Sequence, residues 1–199
     1  ALALHEAGHI LFSDFEFTKL FNERLVGMKL NQFGWFSGSK QTMFRLSKGA
    51  GVVYSIWNAI EDNFMELNVE SAFSGAKSLF LKGDGILTKK GMVKTGENKA
   101  DLLSMHCYHL GLNSRGRDTD SDLKKLEDKL INFYGKGIVS VIADARTLMH
   151  SRKDSLLCSE DCGRLAVDYY LLFDEYDQAQ DQSEDDSDEK SEDDSDEKS

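Results

Sequence analysis

VVYSIWNAIEDNFMELNVESAF, residues Val52–Phe73, is the stretch that decides the fold. Val53, Ile56, Trp57, Ile60, Phe64 and Leu67 recur at three- and four-residue spacing, which predicts an amphipathic helix with an apolar stripe. At about 100° per residue from Val53, the stripe spans roughly 60° to either side, with Glu61 near 80°, Asp62 near 180° and Glu66 near 220°. Glu61 therefore falls at the edge of the buried face. Asp62 and Glu66 fall opposite, where two acids also suit a solvated surface.

The surrounding chain extends the helical pattern. Leu2 to about Phe12 reads as a buried helix closed by Ser13 and Asp14, and Phe15–Leu30 as a second helical segment. Asn31–Gly51, rich in Gly, Ser and aromatics, reads as loop with short strands, and Lys82–Glu97, with four glycines among lysines, as a surface loop or hairpin. Further helices are expected over Ala100–Leu112, from Ser121 or Asp122 as N-cap through Phe133, over Ile138–His150 and over Cys158–Phe173. Proline is absent where average usage would give about ten. The fold class expected is mainly α.

Charge divides the chain at Asp174. Asp174–Ser199 holds 14 Asp/Glu against 2 Lys, and the other 173 residues hold 21 acids against 22 bases. The octapeptide SEDDSDEK occurs at Ser183–Lys190 and again at Ser191–Lys198. Residues 1–173 are accordingly expected to form the folded domain, and 174–199 a disordered acidic tail whose like charges repel. A near-neutral body lacks the basic footprint of a nucleic-acid binder. With a mean hydropathy of −0.44, no stretch approaches the roughly 18 apolar residues of a membrane span. Three cysteines, Cys107, Cys158 and Cys162, are an odd number and sparse for a disulfide scaffold, so a reducing, cytoplasmic setting is expected. The chain opens on Ala1 rather than Met, and its natural start is expected upstream.

The chemistry concentrates in His5-Glu6-Ala7-Gly8-His9. Residues four apart on a helix share a face, so His5 and His9 of this HExxH pattern can grip one Zn²⁺ while Glu6 lies beside it without ligating. Glu6 would then take a proton from zinc-bound water and deliver it to a leaving amine. Polar side chains inside an apolar helix are costly to bury without a metal or strong partners. A catalytic zinc needs a third protein ligand. Glu61 is the one expected, with Asp62, Glu66, His106, His109 or no third protein ligand as alternatives, and Asn58 and Asp62 are candidates to orient the histidines. A structural zinc shared by His106, Cys107, His109, Cys158 and Cys162 is a weaker reading. Trp35 and Phe36 suit a core better than a substrate cleft. No phosphate-binding G-x-x-x-x-G-K-[ST] loop is present.

The run Ala-Leu-His5-Glu-Ala-Gly-His9-Ile-Leu-Phe-Ser-Asp14-Phe, then Asn58-Ala-Ile-Glu61-Asp62 with Glu66 and Phe73-Ser-Gly-Ala76, then the acidic segment, resembles the N-terminal region of CobT-like proteins. These are classed by motif with metallopeptidases that carry a von Willebrand factor A (VWA) domain. The resemblance covers about residues 1–80 and the tail. Asn63 and Phe64 depart from the small and basic residues common there, Ser74 stands where proline is common, and no VWA domain is present. The resemblance implies a zincin-like helical metallopeptidase domain, truncated at its N-terminus, that cleaves a protein or peptide substrate. Alternatively, it implies a non-catalytic, cobaltochelatase-type subunit acting with an AAA+ ATPase partner.

Overall fold

The structure, a computed structural model, describes the backbone of residues 2–89 and 97–189 and the side chains of 2–83 and 97–180. It is mainly helical, with no strand among the described residues. Among the described residues nine helices follow one another: α1 (Leu2–Phe12), α2 (Phe15–Val26), α3 (Lys40–Lys48), α4 (Ala50–Ala72), α5 (Ala76–Lys89), α6 (Lys99–Ser114), α7 (Asp120–Tyr134), α8 (Val139–Arg152) and α9 (Ser159–Glu189). Single 3₁₀ turns at Leu30–Phe33 and Lys136–Ile138 join α2 to α3 and α7 to α8.

The stretch that decides the fold forms its axis. α4 packs against α6, α9 and α1, and its apolar stripe enters the main core through Val53, Ile56 and Ile60, beside Phe21, Leu103 and Tyr169. It also buries a second side. Met65 and Val69 join Ala76 and Phe80 of α5 in a smaller cluster, against which Leu4 and Phe12 of α1 pack. That cluster holds the HExxH helix to the protein, because most other apolar residues of α1 face outward; Ile10 is 75 % exposed.

Contact between α1 and α4 is close because Gly8 has no side chain. A Cβ there would stand 2.2 Å from Met65 Sδ and 2.7 Å from Val69 Cγ2. Met65 can swing aside, but the branched Val69 is fixed by the helix. Gly8→Val should therefore destabilise the fold by about 1–3 kcal/mol, as overpacking does. Chemical denaturation measures this, and stability equal to wild type would show that α1 does not sit so close.

Four expectations need correction. Residues 31–51 are not strand-forming: Ser39 Oγ accepts from Thr42 N at 3.1 Å and starts α3. The aromatics before it, Phe33, Trp35 and Phe36, lie on the main core, in keeping with a core reading. The expected loop over Lys82–Glu97 is helical to Lys89, since Ala76 and Phe80 anchor α5 and the helix carries on through Gly83 and Gly85. Each such glycine costs about 1 kcal/mol relative to alanine, less than anchoring repays. Residues 90–96 lie outside the described residues. α7 starts at Asp120 after Thr119, two or three residues earlier than a Ser121 or Asp122 cap implies, and the Thr119 hydroxyl donates to the His109 carbonyl at 3.1 Å.

The fourth correction concerns the acidic end. α9 does not stop at Asp174, and residues 174–177 pack on the body. Asp174 is buried; it accepts from the Tyr170 hydroxyl at 3.2 Å and pairs with Arg45 at 3.2 Å. The Tyr176 hydroxyl donates to the Tyr134 carbonyl at 3.3 Å, and Asp177 pairs with Lys99. Charge composition marked a boundary at Asp174 because it ignores that a helix shows its acids one face at a time. The first SEDDSDEK copy lies on α9 up to Glu189 with its side chains undescribed, and the second copy lies outside the described residues. Among the described residues, no helix is long and apolar enough to cross a membrane.

Candidate metal centre

Helix α1 sets its two histidines one turn apart, with their Nε2 atoms 3.2 Å from each other. Across from them, α4 presents Asp62. Its Oδ1 stands 3.1 Å from His9 Nε2 and 3.7 Å from His5 Nε2. These three half-buried side chains each offer one ligand atom to a common point, and they are the one such group of His, Cys, Asp and Glu among the described residues.

Glu61 does not join them. It is 1 % exposed, and its two oxygens are engaged on the far side of His9. Oε1 accepts from the Ser159 hydroxyl at 2.8 Å; Oε2 accepts from the Ser13 hydroxyl at 2.9 Å and stands 3.4 Å from His9 Nδ1. Ser13 Oγ is itself 2.8 Å from His9 Nδ1, and Ser159 Oγ also accepts from the Asp14 backbone N–H at 2.9 Å. Glu61 thus ties the end of α1 and the start of α9 to α4, and it backs the His9 ring. The expected convergence of His5, His9 and Glu61 becomes a convergence of His5, His9 and Asp62.

Glu66 plays the corresponding part for the other histidine, with Oε1 3.5 Å from His5 Nδ1. Each imidazole therefore has a buried carboxylate at Nδ1 and turns Nε2 toward Asp62. Carboxylates placed at the outer ring nitrogen fix the tautomer and aim of metal-ligating histidines. Asn58, expected to share that task, is exposed on α4, and no hydrogen bond joins it to either histidine. Glu6 is exposed on α1 between His5 and His9.

The field at this point favours positive charge. Asp62, then Glu61, hold the His9 pKa up at about 10 despite partial burial. Glu66 raises His5 against its own desolvation, with Asp62 adding to the effect. A divalent cation would meet the same field once the imidazoles are neutral.

The weaker cysteine and histidine constellation is not assembled. His106 is fully buried, with Nδ1 2.6 Å from the Tyr169 hydroxyl and Nε2 3.4 Å from Glu127, and burial lowers its pKa. Burial likewise lowers that of His109. Cys107 is buried against Met149, Cys162 is buried, and Cys158 is exposed. Cys107 and Cys162 act as small core residues.

Sequence reasoning missed Ser13 and Ser159, whose hydroxyls occupy Glu61. Ser13 had a signal, since it stands four residues after His9 and one helical turn along the same face. Ser159, nearly 100 residues from Glu61, had none. No protein-family model, curated protein or solved structure matches this chain, so its function is read from the geometry of the site.

Proposed function

We propose that the chain is a zinc-dependent hydrolase of peptide bonds, with His5, His9 and Asp62 as metal ligands and Glu6 as general base. One observation carries this reading. In a tetrahedral zinc site with bonds of about 2.0–2.1 Å, ligand atoms stand roughly 3.3–3.4 Å from one another. The three atoms here are separated by 3.1, 3.2 and 3.7 Å.

Bound zinc would supply Lewis acidity, polarising a carbonyl and lowering the pKa of a water toward about 7. The chain supplies the rest. With Asp62 and the two imidazoles as its three protein ligands, a tetrahedral zinc would keep a fourth position for water or substrate, as a catalytic site requires. Glu61 and Glu66 hold the rings from behind. Glu6, exposed and next to His5 in sequence, is free of the ligand triangle and can accept a proton and return it to the leaving amine.

The test is hydrolysis of an unfolded polypeptide by the full chain. Chelator-treated protein should be inactive and regain activity with one equivalent of zinc. Asp62→Ala should remove zinc from the purified protein, whereas Glu61→Ala should retain it with affinity weakened about 10- to 100-fold, the usual cost of an outer residue. A protein that takes up no zinc, or an Asp62→Ala variant that keeps it while Glu61→Ala loses it, would sink this ligand set.

A second reading is a non-catalytic subunit of CobT-like type that works with an AAA+ ATPase. It is favoured by the outward apolar side chains of α1, Leu2, Ile10 and Leu11, which flank the site and suit contact with another protein.

A further inference from the structure

The two halves of the candidate centre are braced differently. Behind His9, Glu61 is held by two neutral hydroxyls, Ser13 and Ser159. Behind His5, Glu66 Oε1 faces the ring, and Oε2 stands 3.5 Å from Arg117 Nη2. Arg117 also pairs with Glu70, one turn further along α4. Both partners lie in the interior: Glu66 is 5 % exposed, and the Arg117 side chain is 8 % exposed.

Arg117 reaches this position from the turn between α6 and α7, far from α1 in sequence. Gly116 takes φ +78°, a left-handed conformation that favours glycine. The Arg117 N–H then donates to the Leu112 carbonyl at 3.1 Å, closing the end of α6. With the backbone so pinned, Arg115 donates to the Asn63 carbonyl and Arg117 reaches the next turns of α4. The sequence Arg-Gly-Arg is a clasp over the back of α4.

We propose that Arg117 is a positioning residue of the metal centre, acting through Glu66 to hold the His5 imidazole with Nε2 toward His9 and Asp62. This rests on the metal-site reading given above. A planar guanidinium can face two carboxylates at once, so Arg117 fixes Glu66 relative to Glu70 on the rigid frame of α4. Glu66 Oε2 is buried and accepts no hydrogen bond, so losing Arg117 removes the ion pair at 3.5 Å that steadies it on that side. The carboxylate then turns away from Nδ1, and the ring loses its aim.

The experiment uses the full chain, with Zn²⁺ affinity by chelator competition, the visible spectrum of the Co²⁺-loaded protein, and thermal unfolding of the metal-free protein. Arg117→Met should weaken Zn²⁺ binding about 10- to 100-fold and alter the Co²⁺ spectrum. Arg115→Met, on the same clasp but bound to a backbone carbonyl, should change metal-free stability to a similar degree while leaving the spectrum as in wild type. Arg117→Lys should fall between Arg117→Met and wild type, because an ammonium keeps the charge but cannot fork between two acids. In a Glu66→Gln background, Arg117→Met should add little further loss, as expected of residues acting in series.

Wild-type affinity and spectrum in Arg117→Met, or full additivity with Glu66→Gln, would overturn the proposal while leaving the metal site standing. Should Arg117→Met not fold, Arg117→Lys decides: an unchanged spectrum and affinity would overturn the role. Wild-type protein that binds neither Zn²⁺ nor Co²⁺ would overturn both the site and its brace.

Discussion

Glu6→Gln should keep zinc at the wild-type stoichiometry and lower peptide hydrolysis by about 10²- to 10⁴-fold, the usual worth of a positioned general base. The amide matches the carboxylate in shape, and Glu6 is exposed on α1, so neither packing nor the ligand triangle should change. What is lost is the ability to accept a proton. The contrast with Asp62→Ala gives the prediction its force, because that change should remove the metal and the activity together. If Glu6→Gln hydrolyses as fast as wild type, Glu6 is not the base. If neither protein hydrolyses any unfolded polypeptide yet both hold zinc, the non-catalytic subunit reading takes over, and the exposed side of α1 becomes the surface to test for partners.

How much of this was legible in the sequence varies by element, for physical reasons. The helices α1 and α4 were readable because their apolar residues keep helical spacing. The paired histidines were readable because a four-residue step on a helix dictates that they share a face. The acid that converges on them was not, since projecting α4 on a wheel assumes one buried face. α4 has two, and the second belongs to α1: Met65 and Val69 pack beneath Leu4 and Phe12, on the side where Asp62 and Glu66 stand. Met65 at about 120° and Val69 at about 160° on the same wheel were the available hint, being apolar residues on a face taken as solvated. Glu61 looked like a ligand because it is buried. It is buried because Ser13 and Ser159 satisfy both its oxygens, and a one-dimensional pattern carries no trace of a hydroxyl arriving from α9. Clasp residue Arg117 was hidden in the same way, inside a polar run that reads as an ordinary turn.

The other large effect is expected at the far end of α9. Truncation after Phe173 should destabilise the protein by several kcal/mol, whereas truncation after Gln180 should leave it close to wild type. Residues 174–177 account for the difference. Asp174 is the partner of Arg45, whose side chain is 20 % exposed, and removing one member of a buried pair costs about 3–5 kcal/mol. Partial access of water to Arg45 puts the cost toward the low end. The same cut frees Lys99 from Asp177 and removes the Tyr176 hydroxyl from the Tyr134 carbonyl. In a domain of this size each kcal/mol shifts the unfolding midpoint by roughly 2–4 °C, so the shorter chain should melt on the order of 10 °C lower. Zinc affinity should change less than stability, because Ser159, the α9 residue that touches the centre through Glu61, lies at the other end of the helix, more than three turns before the cut. Equal melting of the two truncated chains would mean that the contacts of Asp174, Tyr176 and Asp177 contribute nothing measurable, and that the folded body ends where its charge changes.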